Sequence, residues 1–78
     1  MRQINQVAFD IRREWKKVNF AAAPYLSAMQ TLTDKDSAYG LDSAQEIVAR
    51  FLCNASGFRG GNAKDLKAEL KSIMKGGA

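Results

Sequence analysis

Seventy-eight residues, 46% hydrophobic and 26% charged, make a single helical domain over residues 1–78, with no second core and no apolar run near the ~20 residues of a membrane span. With no histidine and one cysteine, Cys53, Ser-His and Cys-His catalysis are excluded and a structural zinc site very nearly so. Twelve Lys and Arg against eight Asp and Glu give a net charge of +4, which favours acidic partners.

The first predicted helix covers about residues 3–18. Ile4, Val7, Ile11, Trp15 and Val18 follow an i, i+3, i+7, i+11, i+14 pattern that places them on one face. Asn19-Phe20 breaks it. The second helix runs over about 21–33, with Pro24 tolerated only in its first turn and Tyr25, Ala28, Met29 and Leu32 on one face. A polar connection from Asp34 to Leu41 follows.

The third helix has the clearest start. Asp42 or Ser43 caps it, and Gln45 or Glu46 three residues later completes a capping box. Ile47, Val48, Phe51, Leu52 and Ala55 form a broad apolar face, and Gly57 is the expected stop. Past Phe58-Arg59-Gly60-Gly61, Asn62 caps the fourth helix, Asp65 sits in its first turn where the dipole favours negative charge, and Gly76-Gly77 ends it. Period-two alternation is absent and β-branched residues are few, so no strand is expected. The expected fold class is all-α, a compact bundle of about four short helices with the second docked across the others.

The fourth helix places Lys64, Lys67, Lys71 and Lys75 in a stripe about 80° wide, beside an apolar face of Ala63, Leu66, Leu70, Ile73 and Met74. Such a stripe tracks a phosphate backbone, docks on an acidic protein, or serves solubility alone. Asp65 and Glu69 project to another side and leave it weakly neutralised. The first helix carries a second basic surface opposite its apolar stripe, with Phe9 among Arg2, Arg13 and Lys16. A ring within a basic face suits a binding surface, where it stacks or anchors while the charges steer approach. The competing reading packs Phe9 on the C-terminal tail or on a neighbouring helix. Arg59, in a lone Arg-Gly-Gly element, extends the basic surface, while Phe58 pins the loop to the core and the glycines allow positive φ.

Other motifs fail on inspection. From Asp34 as position 1, a calcium loop would need glycine where Tyr39 stands and glutamate where Gln45 stands. Asp10 and Glu14, one turn apart, lie within reach of Arg13 and Lys17 and read as helix-surface pairs. Cys53 reads as semi-buried and inert. The Asn54-Ala55-Ser56 sequon falls inside a predicted helix. Neither helix pair fits a tight helix-turn-helix, since the loop after Gly57 holds two further glycines. The Met1–Gln6 segment lacks the apolar core of a signal peptide and a lone cysteine suits a reducing compartment, so a cytoplasmic protein is expected, with no metal and no cofactor.

Trp15-Lys16-Lys17-Val18-Asn19-Phe20-Ala21, Pro24-Tyr25-Leu26-Ser27-Ala28-Met29, Tyr39-Gly40-Leu41-Asp42 and the run from Ile47 to Leu70 together resemble small helical proteins of unassigned function encoded by bacteriophages and other mobile elements. The resemblance covers most of the chain but consists of packing and turn residues, so it transfers no functional residue. It implies a bacterial or phage cytosol and an accessory role, and by analogy the blocking of host machinery such as CRISPR effectors.

The resulting expectation is a non-enzymatic interaction protein that binds an acidic host protein or nucleoprotein, for example as an anti-CRISPR-type inhibitor. Its candidate partner-binding residues are Phe9, Arg13, Lys16, Arg59, Lys64, Lys67, Lys71 and Lys75. The alternatives are direct nucleic-acid binding through the basic faces of the first and fourth helices, and self-association, which leaves monomer and homodimer open.

Overall fold

Helical periodicity becomes four helices, with ends set by local capping and tertiary contacts. The computed structural model describes residues 2–75. The elements are α1 (Ile4–Glu14), α2 (Ala23–Met29), β1 (Ala38–Tyr39), β2 (Asp42–Ser43), α3 (Ala44–Cys53) and α4 (Ala63–Met74). Ile4, Val7, Ala8 and Ile11 of α1 meet Leu26, Ala28 and Met29 of α2, Ile47, Val48 and Phe51 of α3, and Leu66, Leu70 and Ile73 of α4 in one core. Leu26, absent from the predicted face of the second helix, is fully buried.

The helices are shorter than periodicity alone implies. α1 stops at Glu14 because Trp15 turns extended, with φ −95° and ψ 93°, while its N–H still reaches the carbonyl of Ile11. Its indole is then buried, stacked on Phe58 at 5.3 Å and edge-on to Phe51 at 6.2 Å. That aromatic packing outweighs one more helical turn.

After α2 the chain continues in tight turns, Thr31 to Ala28 and Leu32 to Met29, so Leu32 is buried without being helical. The carbonyls of Leu32 and Thr33 then accept the first free N–H groups of α1, from Asn5 and Ile4, satisfying donors that a helix start otherwise leaves open. The Gln6 side chain accepts from the Gln3 N–H at the same end.

Ser43, rather than Asp42, caps α3, its hydroxyl accepting from the Glu46 N–H at 3.1 Å. α3 ends at Cys53, before Gly57, with the Asn54 side chain folded back onto the Arg50 carbonyl. Asn62 stands at the N-cap position of α4 without capping it. Its amide donates instead to Glu14 at 2.9 Å. The expected Gly76-Gly77 stop lies outside the described residues.

The all-α expectation needs one correction. Ala38 pairs with Ser43 and Tyr39 with Asp42 in a two-stranded antiparallel hairpin, closed around Gly40-Leu41. Gly40 has φ +62°, the first central position of a type II′ turn, which glycine fills without a Cβ clash. Two residues per strand are too few to write an alternating pattern, so the sequence gives no strand signal there.

Helix directions follow from the polar contacts. Arg2 meets Glu69 and Glu14 meets Asn62, so α1 and α4 are antiparallel. Lys67 meets Ala55, while Gln45 and Lys75 share the far end of the same groove, so α3 and α4 are antiparallel as well. No helix is long and apolar enough to cross a membrane among the described residues.

Candidate partner-binding surface

The lysine stripe divides in the fold. α4 buries Ala63, Leu66, Leu70 and Ile73, and its two flanks face different neighbours. On one flank the guanidinium of Arg2 grips Glu69 with two hydrogen bonds, of 2.8 and 2.7 Å, and also binds Asp10 of α1. On the other flank Lys67 bends inward. Its Nζ donates to the Ala55 carbonyl at 2.7 Å and lies 5.7 Å from the centre of the Phe58 ring.

Ala55 lies two residues past α3 and its carbonyl also accepts the Phe58 N–H, so Lys67 clamps the start of the α3–α4 loop onto α4, close to the end of α3 where the helix dipole favours a cation. Its methylene stem covers apolar surface while the ammonium is held. It is half-buried, which corrects its expected role as an outward member of the stripe.

Lys64, Lys71 and Lys75 stay exposed, and none forms an ion pair among the described residues. Asp65 shares this unpaired state, while Glu69 is spent on Arg2. Arg59 is exposed at the tip of the α3–α4 loop, where Gly60 and Gly61 take φ +82° and +50°. Phe58, on the same loop, is buried.

The second basic surface is not a continuous helix face. Arg2 precedes α1 and Lys16 follows it, so helical spacing places neither one. Lys16 is exposed in the turn after the helix. Arg13 pairs with Asp10 at 2.7 Å while keeping most of its surface in solvent. Arg12 reaches across to α2, donating to Gln30 and Ser27 at 3.1 Å. Phe9 is 62% exposed, so it is not buried on a neighbouring helix; the C-terminal tail, the other partner expected for it, lies outside the described residues.

Hydrogen bonding from Arg2 holds the carboxyls of Glu69 and Asp10 below their ordinary values against the opposing effect of burial. Both stay ionised near neutral pH. They sit along the α1–α4 seam, about 160° around α4 from Lys67 and Lys71 at 100° per residue. Along this part of the seam, ionised carboxylates stand between α1 and the lysines of α4, while the other end of α1 meets the α3–α4 loop through Glu14 and Asn62.

Beside Lys71 and Lys75 an open groove of about 370 Å³ runs between α3 and α4. Val48, Leu52 and Met74 make it apolar, Ala49 leaves it room, and Gln45 closes one end. A smaller groove of about 310 Å³ lies between Arg2, Ile73 and the Asp34–Asp36 turn, with charges of both signs on its walls. The Asp34 side chain is used inside that turn, accepting the Asp36 N–H at 2.9 Å. Among the described residues no group of three or more His, Cys, Asp or Glu side chains is gathered where it could hold a metal ion.

Three further apolar side chains project without having been expected to: Phe20 at 97% exposure, Leu41 at the hairpin tip at 105%, and Tyr39 at 48%. Phe20 had a signal, since it falls in a helix break where no apolar face needs it. Cys53 is exposed rather than semi-buried.

No protein-family model, no curated protein and no solved structure matches this chain.

Proposed function

We propose that this chain is a non-enzymatic interaction protein, an accessory factor of the phage and mobile-element kind, that docks on an acidic surface of a host protein or nucleoprotein and blocks it; an anti-CRISPR-type inhibitor is an example. The observation that carries the reading is the set of exposed cations on α4, Lys64, Lys71 and Lys75, without an ion pair among the described residues, of which Lys71 and Lys75 line an apolar groove. Charges of one sign next to exposed apolar surface both steer a partner and give it something to bury. Phe9 with Arg13, on the far side of the acidic seam, is a separate and smaller patch. The cytosol is the compartment such a role requires.

Direct nucleic-acid binding is the second reading, and the carboxylates of Asp10 and Glu69, held by Arg2, count against a phosphate track along that part of the α1–α4 seam. The two readings separate by titrating labelled duplex and single-stranded DNA at low and near-physiological salt. The interaction reading expects no DNA binding at near-physiological salt, with protein partners retained on the immobilised chain and released by the Lys71→Glu/Lys75→Glu variant. Tight DNA binding, with a log-log salt slope near −0.9 per neutralised phosphate, would transfer the function to nucleic acid.

A further inference from the structure

We infer that the groove between α3 and α4 receives an acidic amphipathic helix, whose apolar side chains enter between Val48, Leu52 and Met74 while its carboxylates meet Lys71 and Lys75. The inference rests on the reading above and names the partner's chemistry.

The shape comes first. α3 and α4 are held together at one end, where Lys67 binds the Ala55 carbonyl. Towards the other end a groove of about 370 Å³ lies open between them, within the lower part of the 300–1,000 Å³ range of ordinary binding clefts. Its floor is Val48, which is buried, and its walls are the half-buried Leu52 and Met74. The short side chain of Ala49 leaves the rim low. A cleft between two antiparallel helices with an apolar floor is the kind of surface that takes a third helix by its apolar stripe.

Charge then selects the occupant. Among the described residues the lining holds two cations and no carboxylate. Lys71 is in the last turn of α4 and Lys75 is its C-cap, whose N–H still donates to the Lys71 carbonyl, so at this four-residue spacing both side chains stand on the same lip, about 5–6 Å apart at Cβ. A helix that carries Glu or Asp at i and i+4 beside its apolar stripe repeats that spacing with the opposite sign.

A nucleic-acid backbone matches the lysines but not the apolar floor, and among the described residues the lining offers no aromatic ring for stacking. A second copy of this chain matches less well. Of its exposed large apolar side chains among the described residues only Phe9 lies on a helix, flanked by Arg12 and Arg13, while Phe20, Tyr39 and Leu41 stand on a turn and a hairpin, and it would bring a second +4 charge.

The test uses the full chain, labelled with nitrogen-15, and a synthetic peptide of about 16 residues, long enough to form a helix on binding. The peptide carries Leu at i, i+3, i+4 and i+7 and Glu beside that stripe. The control has the same composition in scrambled order. Expected are chemical-shift changes centred on Val48, Ala49, Leu52 and Met74 with the patterned peptide, and at least tenfold weaker binding of the scrambled one.

Lys71→Glu/Lys75→Glu is expected to weaken binding at least tenfold. Ala49→Arg, which adds positive charge yet fills the groove, is expected to weaken it as much. Ala49→Gln provides the same obstruction without charge if the arginine variant folds poorly. Groove occupancy is overturned if the Ala49 variants bind like the wild type while charge reversal abolishes binding, an outcome that leaves the acidic-partner reading standing. It is also overturned if the scrambled peptide binds equally, if the shifts centre on Phe9 or the hairpin, or if no shift appears at about 1 mM peptide, a concentration that reveals binding with a Kd up to the millimolar range.

Discussion

Replacing Lys67 should cost stability, while replacing Lys71, one turn further along the same stripe, should not. Lys67 Nζ makes a 2.7 Å hydrogen bond to the Ala55 carbonyl and lies 5.7 Å from the Phe58 ring centre. The Ala55 carbonyl also accepts the Phe58 N–H at 3.0 Å, so losing the lysine does not orphan it. The loss is then the net value of the bond, about 1 kcal/mol, plus about 0.5–1 kcal/mol for the cation over the ring. Methionine retains most of the apolar stem, so Lys67→Met isolates these polar contributions at about 1–2 kcal/mol. For a domain this small that lowers Tm by about 5–15 °C. Lys71→Met, at an exposed side chain without an ion pair among the described residues, should stay within about 0.5 kcal/mol of wild type. Trp15 is the only tryptophan and stacks on Phe58, so its fluorescence reports thermal unfolding of the same region. Equal melting temperatures for the two variants would refute the division of the stripe into a structural lysine and free ones. The same division predicts that Lys67→Met leaves partner binding intact once the protein is folded.

Acid should weaken the fold through the α1–α4 seam. The Glu69 and Asp10 carboxyls titrate below their ordinary values of 4.5 and 3.8 because Arg2 binds their charged forms, so their stabilisation is complete above the unfolded values and is lost as pH falls through the lowered folded ones. Glu69→Gln should therefore cost up to about 1 kcal/mol near pH 7, the scale of a partly exposed ion pair, with the difference from wild type shrinking in acid; urea midpoints at both pH values measure it, and a difference that grows in acid would be the wrong sign. The loop glycines should respond in opposite directions. Gly60, at φ +82°, should lose about 1–2 kcal/mol on mutation to alanine, whereas Gly57→Ala, whose Cβ would meet only Trp15 at an ordinary 3.7 Å, should gain about 0.4–1 kcal/mol through a less flexible unfolded chain. Paired thermal melts decide the signs.

What the sequence determined by itself is the set of local relations. Apolar spacing along each helix chose Ile4, Val7 and Ile11, then Ile47, Val48 and Phe51, then Leu66, Leu70 and Ile73 for the core, because a side chain's direction on a helix depends only on its place in the 3.6-residue repeat. Missing histidine, a lone cysteine and the count of charges were equally plain before any folding. Tertiary structure decided everything that depends on which flank meets which neighbour. It ended α1 at Glu14, where aromatic stacking outweighed another turn, and placed Leu26 inside. It sent Arg2 to Glu69 and Asp10, turned Lys67 inward onto the end of α3, and left Lys71 and Lys75 beside an open groove. Four lysines at equivalent helical spacing read alike in sequence, but a helix in a bundle has two unlike flanks, and the neighbour on each decides whether a cation holds the fold together or remains free to bind.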